Sequence, residues 1–247
     1  MTSILFLGDA HLRENDPELE SFLRFLRALP SGASALYLLG DLFDLWIGSP
    51  AFLSECHHRV LAALRALKAS GVALKYVEGN RDYRLKSLYE SDPFQEVAEE
   101  GTDVAFGGRS IHLVHGDLVN PEDRPYRFWR RVAKSPVLLG ATRILPGRTA
   151  RSLARWMERG IARTNLRHRA RFPEEHCRRL ALARLSQGND TLVLGHFHEE
   201  SRREYQGPSG KIEVFVLPAW RIQGRYLRIH EDGQAEFEGY TQEGAST

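Results

Sequence analysis

Five segments of this chain end in residues that commonly bind metal ions. In chain order they are Gly8-Asp9-Ala10-His11, Gly40-Asp41, Gly79-Asn80-Arg81-Asp82, His115-Gly116-Asp117 and Gly195-His196-Phe197-His198. Aspartate, asparagine and neutral histidine offer oxygen and nitrogen ligands that suit manganese, iron or zinc. A single segment of this kind occurs by chance, but five in this order predict one shared metal site.

Short apolar runs precede these segments and predict the strands that position them. The runs are residues 4–7, 36–39, 73–77, 111–114 and 191–194. Open α/β sheets place their sites beyond the carboxyl ends of strands, so we expect the five segments to meet in one crevice.

The remaining pattern alternates between helices and strands and predicts an α/β fold. Apolar residues at helical spacing predict helices over residues 17–29 and 52–70, with His57 and His58 on the surface of the second. The Gly107-Gly108 pair predicts a hairpin over residues 104–114. Further strands are expected at 213–218 and 225–230, and a disordered tail at 242–247.

The five segments resemble the pattern of the calcineurin-type metallophosphoesterase superfamily: D-x-H, G-D, G-N-H-[DE], H and G-H-x-H. The resemblance implies an αββα sandwich and two divalent cations, expected to be manganese. The implied ligands of the first metal are Asp9, His11, Asp41 and His198, and those of the second are Asp41, Asn80, His115 and His196. Asp41 would therefore bridge the two ions.

A second resemblance, to the UDP-2,3-diacylglucosamine hydrolases of lipid A synthesis, runs nearly end to end. It rests on Gly40-Asp41-Leu42-Phe43-Asp44-Leu45-Trp46-Ile47-Gly48, Gly79-Asn80-Arg81-Asp82-Tyr83, the spacing to Asp123 and Tyr126, and Ala219-Trp220. It implies cleavage of the pyrophosphate of a lipid-linked sugar nucleotide, with release of UMP and diacylglucosamine 1-phosphate. The implied catalytic residues are Asp41, Asn80, Arg81 and His196. The implied substrate contacts are Asn80, Arg81, Asp123, Tyr126, Asn165, His168 and His196.

Some positions depart from the pattern of the hydrolases. Leu118-Val119-Asn120 follows His115-Gly116-Asp117, where that family usually has a cysteine. The serine, asparagine and lysine that contact substrate in that family fall on Ile161, Asn165 and His168, so only the asparagine is retained.

Arg81 stands where most of the superfamily has a histidine that protonates the leaving group. Arginine cannot be a general acid because its pKa exceeds ~12, but it neutralises phosphate charge. This favours a leaving group that needs no proton, such as a phosphate monoester. The alternative is a structural ion pair, for example with Asp82.

Several other side chains have two open interpretations. Asp44, Asp82 and Asp117 are candidates to fix the second ring nitrogen of the ligand histidines. Asp123 and Tyr126 fit either substrate contact or a capping and buried role. The aromatic residues Phe128, Trp129 and Trp156 are expected to be core residues.

Positive charge is concentrated in one segment. Residues 124–171 contain fourteen Lys and Arg and one acid, a net charge of +13, whereas the rest of the chain carries −11. Arginines recur there every four residues, beside an apolar face that includes Leu139, Leu153 and Ile161. We interpret residues 125–172 as a basic helical lid inserted into a core of residues 1–124 and 173–241. Its apolar face would hold acyl chains.

Other functions remain as alternatives. A metal-dependent phosphodiesterase or nuclease of the same superfamily would also use an arginine stripe, although confinement of the charge to one apolar segment disfavours nucleic acid. The intact ligand set argues against a non-catalytic scaffold, and no obligate protein partner is indicated. The apolar run before Asp9 is too short for a signal peptide, so we expect a cytoplasmic enzyme that contacts the inner membrane peripherally.

Overall fold

A computed structural model describes residues 1–135, 149 and 172–240 of the chain. The strands in these ranges are β1 (Ser3–Leu7), β2 (Ala33–Leu38), β3 (Trp46–Ile47), β4 (Ala73–Val77), β5 (Asp82–Tyr83), β6 (Glu96–Ala98), β7 (Thr102–Phe106), β8 (Arg109–Val114), β9 (Thr191–Leu194), β10 (Ser201–Gly207), β11 (Gly210–Val216), β12 (Arg225–His230) and β13 (Ala235–Gly239). The helices are α1 (Pro17–Arg27), α2 (Glu55–Ala69), α3 (Lys86–Tyr89), α4 (Arg124–Ala133), α5 (Glu174–Leu185) and α6 (Trp220–Gln223), with a 3₁₀ turn at Pro50–Phe52.

Two mixed sheets form the centre of the fold. The first has the strand order β13-β12-β1-β2-β4-β6 and the second the order β10-β11-β9-β8-β7. In the first sheet β1, β2 and β4 are parallel neighbours, and in the second β8 and β9 are parallel neighbours. All five strands that precede the ligand segments are therefore paired side by side within their sheets.

Apolar side chains fill three layers, and these define an αββα sandwich. Between the sheets lie buried residues such as Phe6, Leu39, Leu113 and Phe215. The outer face of the first sheet packs against α1 and α2, and that of the second sheet packs against α5. The predicted αββα arrangement is confirmed.

The start of helix α1 is set by an N-cap residue and a proline. The Asp16 carboxylate accepts a hydrogen bond from the Glu18 N–H at 3.1 Å, and Pro17 occupies the first turn, where no N–H is needed. The buried side chains of α1 are Leu19, Phe22, Leu23, Phe25 and Leu26. This stripe faces the sheet and fixes the helix against β1 and its neighbours.

The hairpin of β7 and β8 is confirmed, with Phe106 paired to Arg109 around the two glycines. Strands β10 and β13 were not predicted. Both lie at sheet edges, and β10 alternates exposed charged residues with partly buried ones. Charged edge strands resist pairing with other chains, and this removes the apolar run that marks a central strand.

His57 is buried, and its predicted surface position is wrong. Its ring stacks on Phe43 with centroids 4.1 Å apart, its Nδ1 accepts from the Ser54 N–H at 3.2 Å, and its Nε2 donates to the Leu45 carbonyl at 3.3 Å. The His57 ring therefore caps the N-terminus of α2 on its buried side. His58, the next residue, is exposed as predicted.

Most of the predicted lid lies outside the described residues, which omit 136–148 and 150–171. These ranges contain Asn165, His168, Ile161 and Trp156. The predicted tail at 242–247 also lies outside the described residues, which end at residue 240. Helix α4 begins at Arg124 beside the predicted boundary, so the division into core and lid stays a prediction. Within the described ranges, no helix has the length and apolar character needed to cross a membrane.

The burial of His57 predicts a pH-dependent loss of stability. Burial lowers the pKa of His57 from 6.5 to about 4. Between pH 6.5 and pH 4, His57 therefore binds a proton in the unfolded chain but stays neutral in the native protein. Lowering the pH through this window should reduce the free energy of unfolding by about 3 kcal/mol, and the contribution is complete below pH 4. Denaturant titrations of wild type and His57→Phe across the window would measure it. The His58→Phe control should keep the wild-type slope; equal slopes for wild type and His57→Phe would contradict the assignment.

Candidate metal centre

The five ligand segments all lie just beyond the carboxyl ends of parallel strands. Asp9, Asp41 and Asn80 follow β1, β2 and β4, while His115 and His196 follow β8 and β9. The two sheets are tied together at this edge, because the His196 N–H donates to Asp9 Oδ2 at 2.7 Å. The predicted crevice is thus formed where the ends of both sheets meet.

One group of donor atoms consists of Asp9, His11 and His198. His198 Nε2 lies 3.1 Å from Asp9 Oδ1 and 3.4 Å from His11 Nε2. His11 Nε2 lies 3.7 Å from Asp9 Oδ1. We call these three residues, together with the nearer oxygen of Asp41, the first group.

A second group surrounds Asn80. Its Oδ1 lies 3.1 Å from His115 Nε2 and 3.0 Å from His196 Nδ1. Asn80, His115, His196 and the other oxygen of Asp41 form the second group. All the side chains in it are buried.

Asp41 stands between the two groups, with one oxygen directed to each. Its Oδ2 is 3.9 Å from His11 Nε2, and its Oδ1 is 3.8 Å from His115 Nε2. A carboxylate that presents its two oxygens to two clusters of ligands has the geometry of a bridge between two cations.

The donor set fits two divalent ions. Donor atoms that bind one ion at about 2.1 Å and at right angles lie roughly 3 Å apart, which is the spacing around Asn80 Oδ1. Asn80 Nδ2 is buried without a hydrogen-bond partner among the described residues, so the amide is oriented by its oxygen. A Cβ on Gly79 would lie 2.3 Å from Asp41 Oδ1, so a side chain there would fill the space beside the bridging carboxylate.

The backbone of the ligand loops is strained. Asp9, His11, Asp41, His196 and His198 all have φ between 44° and 70°. Residues other than glycine rarely adopt this left-handed conformation, and it persists only where surrounding structure enforces it. This left-handed conformation occurs at five of the candidate ligands, directly beyond the strand ends.

The electrostatics of the site favour positive charge. Burial alone would lower the pKa of His115, yet the nearby Asp41 and Asp9 carboxylates raise it to about 9. Burial would raise the pKa of Asp9, but the hydrogen bond to His198 and the charges of the histidines lower it. Burial and then the charge of His115 lower the pKa of His196 to about 3, so this ring stays neutral and able to bind a metal.

Asp82 supports the loops rather than a histidine ring. Its Oδ2 accepts from the N–H groups of Gly79 (2.7 Å) and Asp41 (3.0 Å) and from the Tyr76 hydroxyl (2.9 Å). Burial and the charge of Asp41 raise the pKa of Asp82 to about 7. Asp82 therefore fixes the backbone of Gly79 and Asp41 beside the Asp41 carboxylate.

None of the three aspartates proposed from sequence makes a hydrogen bond to a histidine ring among the described contacts, and His115 uses a backbone carbonyl instead. His115 Nδ1 donates to the Leu39 carbonyl at 2.7 Å. Asp44 Oδ1 lies 3.7 Å from His11 Nδ1, beyond hydrogen-bond distance. Asp117 accepts from the Tyr126 hydroxyl and pairs with Arg130.

Arg81 reaches the Asp41 carboxylate, and no ion pair with Asp82 is found among the described residues. Its Nε lies 3.6 Å from Asp41 Oδ2, and its Nη1 donates to the Asp44 carbonyl oxygen at 2.9 Å. The backbone N–H of Arg81 also donates to Asp41 Oδ1 at 2.9 Å. The guanidinium is thus positioned beside the Asp41 carboxylate, with Asp44 on its other side.

The structure gives Asp123 and Tyr126 structural contacts. Asp123 caps α4 by accepting from the Tyr126 N–H at 3.0 Å, and Tyr126 is buried. Phe128, expected in the core, is 68% exposed. That expectation is wrong because the side of α4 that carries Phe128 faces solvent, whereas Tyr126 and Arg130 face the core.

Two partly buried cations near the site were not predicted. Arg130 pairs with Asp117 at 2.9 Å, and Lys134 pairs with Glu78 at 2.9 Å. Burial raises the pKa of Asp117, but the charges of Arg130, His115 and His196 together outweigh it and lower that pKa to about 2. Arg130 and Lys134 are four residues apart, which places them on one helical face. The same segment is predicted from its charge to be an exposed lid, so this spacing does not identify them as core contacts.

Comparison with known proteins identifies the family. The sequence profile of the calcineurin-like phosphoesterases matches residues 2–208. This chain belongs to that family. It is 34% identical to UDP-2,3-diacylglucosamine hydrolase of Pseudomonas fluorescens (strain Pf0-1) over 240 residues, which cover 94% of each chain. The proteins of that name from Stutzerimonas stutzeri and Edwardsiella ictaluri are 32% and 30% identical, covering 95% and 93% of this chain and 98% and 89% of theirs. The family resemblance inferred from sequence is confirmed.

The shared position of Asp41 predicts unequal effects of ligand substitutions. Asp41→Ala should reduce Mn²⁺ content from two ions per chain toward none, because both groups lose a ligand. His11→Ala should remove only the ion of the first group. Elemental analysis after gel filtration would measure both, with Asp232→Ala in the β12–β13 turn as a folded control. Equal loss of metal in Asp41→Ala and His11→Ala would contradict the bridging role.

Proposed function

We propose that this chain is a metal-dependent hydrolase that cleaves the pyrophosphate of UDP-2,3-diacylglucosamine. Water adds across one P–O bond, which releases UMP and 2,3-diacylglucosamine 1-phosphate. The observation that carries the proposal is Arg81, placed 3.6 Å from the bridging carboxylate where the superfamily usually has a proton donor. The similarity to hydrolases of this name over almost the whole chain supports it.

Two manganese ions held by the first and second groups would activate the attacking water and offset the charge on the phosphoryl oxygens. The residues around them orient the substrate. Asn80 Nδ2, buried without a partner among the described residues, is available to donate to a phosphoryl oxygen. His196 and Asn80 share a contact of 3.0 Å, so both would face the same side of the phosphorus.

Arg81 supplies charge and no proton. Its side chain is only 13% exposed, so its charge is weakly screened by water. The product phosphate monoester has a second pKa of about 6 and leaves as an anion without protonation. A pyrophosphate is therefore matched to arginine at this position, whereas an alkyl phosphodiester would need an acid.

The outer face of α4 suits contact with anionic lipid headgroups. The exposed residues on this face are Arg124, Arg127, Phe128, Arg131 and Val132. Helices with arginines flanking apolar side chains bind the interface of anionic membranes. We extend the proposal to a peripheral position of the protein on the cytoplasmic face of the inner membrane. The proposed substrate contacts include Asp123, Tyr126, Asn165 and His168.

Release of UMP from UDP-2,3-diacylglucosamine by the purified protein in Mn²⁺ tests the function directly. Chromatography should detect UMP and a lipid product that retains one phosphate. The matched control is Asp41→Asn, which keeps the shape of the side chain but removes its charge. Absence of UMP release by metal-loaded wild type, together with cleavage of single-stranded nucleic acid, would favour the nuclease alternative. Binding of nucleic acid would weaken steeply with added salt.

The role of Arg81 predicts a change of substrate preference. Arg81→Ala should lower kcat/KM for the pyrophosphate by about 2–5 kcal/mol of transition-state binding, as expected for loss of one partner in a desolvated charge contact. Arg81→His should raise the rate on an alkyl phosphodiester relative to the pyrophosphate. Steady-state kinetics on both substrates would measure the ratio. If the ratio in Arg81→His equals that of wild type, the leaving-group argument fails.

A further inference from the structure

Helix α4 and its C-cap residue are attached to the core by two ion pairs whose carboxylates are buried. Arg130 Nε lies 2.9 Å from Asp117 Oδ2, with the two side chains 12% and 3% exposed. Lys134 Nζ lies 2.9 Å from Glu78 Oε2, with the side chains 15% and 1% exposed. Pairs this deeply buried are strongly coupled, because loss of one partner leaves an uncompensated charge inside the protein.

Both carboxylates lie within two residues of a ligand in the second group. Asp117 follows His115 by two residues, and Glu78 precedes Asn80 by two. His115 and Asn80 touch each other through Nε2 and Oδ1 at 3.1 Å. One helix therefore holds two loops whose ligand atoms are in contact.

The first group is held by a different part of the molecule. Arg221 in α6 donates to the His11 carbonyl oxygen at 2.8 Å and pairs with Asp16 at 2.6 Å. Asp16 caps α1, so this support lies within the core on the side of the first sheet. No ion pair among the described residues links α4 to Asp9, His11 or His198.

Phe172, at the C-terminal end of the predicted lid, also packs near the second group. Phe172 packs edge-on against Phe197 with ring centroids 4.8 Å apart, and Arg203 lies 3.9 Å over the Phe172 ring. Phe197 in turn packs against the ring of His196, with centroids 5.3 Å apart. Each end of the predicted lid is therefore packed against a loop that carries a ligand of the second group.

We infer that α4 is a positioning element for the second metal, and that Arg130 and Lys134 set the affinity of that ion while leaving the first nearly unaffected. The inference rests on the two-metal centre described above. Residues that orient metal ligands typically change affinity by about 10–100-fold when they are replaced. Because coupling between sites is reciprocal, a substrate that holds α4 in place would tighten binding of the second ion, and the second ion would tighten binding of substrate.

Calorimetric titration of Mn²⁺ into metal-free protein tests this without measuring activity. In a His11→Ala background, only the second group retains its full set of ligands. There, Arg130→Gln should weaken Mn²⁺ binding at least tenfold. In a His196→Ala background, which leaves the first group, the same change should alter the dissociation constant less than twofold.

Arg109→Gln is the matched control. Arg109 begins β8, the strand that ends beside His115, and it pairs with Glu213 at 2.7 Å with side chains 20% and 15% exposed. The control removes a comparable ion pair at the far end of the same strand and should leave both metal affinities unchanged. If Arg130→Gln does not fold, Asp117→Asn/Arg130→Gln removes both charges and should show the same selective weakening.

Three outcomes would overturn the inference. Unchanged Mn²⁺ affinity in folded Arg130→Gln or in the double variant would show that α4 does not position the second group. Equal weakening in both backgrounds would indicate a general loss of structure. Failure of wild type to bind two ions would instead contradict the metal centre and the proposed function together.

Discussion

The buried carboxylate of Asp41 is the constraint on which the rest of this site depends. It must present one oxygen to each group of ligands, and the surrounding contacts hold it there through its backbone. The Asp41 N–H donates to Asp82 Oδ2 at 3.0 Å, and the Asp41 carbonyl accepts from the His11 N–H at 2.9 Å. The loops after β1, β2 and β4 are thereby joined around one side chain.

Placing several carboxylates in one buried crevice has an electrostatic cost. Burial raises the pKa of Asp41, His115 opposes that rise, and the neighbouring charge of Asp9 adds to it. Two divalent cations would offset this repulsion, so metal binding and the formation of the crevice are coupled. The left-handed backbone of Asp9, Asp41 and His196 is a further cost that the tight packing around Gly40 and Gly79 enforces.

The ligand residues could be predicted because their chemistry is local. A strand followed at once by aspartate or histidine places that side chain at a sheet edge, whatever the rest of the chain does. The support of the ligands could not be predicted in the same way. Asp82 binds backbone N–H groups that converge only after the loops following β2 and β4 have folded, and sequence gives no sign of them.

The positions of Arg130 and Lys134 could not be predicted for a related reason. Arg130 and Lys134 belong to the most basic segment of the chain, which predicted an exposed cationic surface. The structure pairs both with buried carboxylates, so both cations face the core, and the outer face of α4 keeps its charge exposed. The edge strands β10 and β13 were missed because solvent-facing charges interrupt their apolar pattern.

The central claim is that one carboxylate joins two cation sites at the meeting edge of two sheets. Anomalous diffraction from crystals grown in Mn²⁺, recorded at the manganese edge, tests it most directly. The account predicts two peaks ~3.5–4 Å apart, one on each side of the Asp41 carboxylate. A single peak, or two peaks that do not share Asp41, would contradict it.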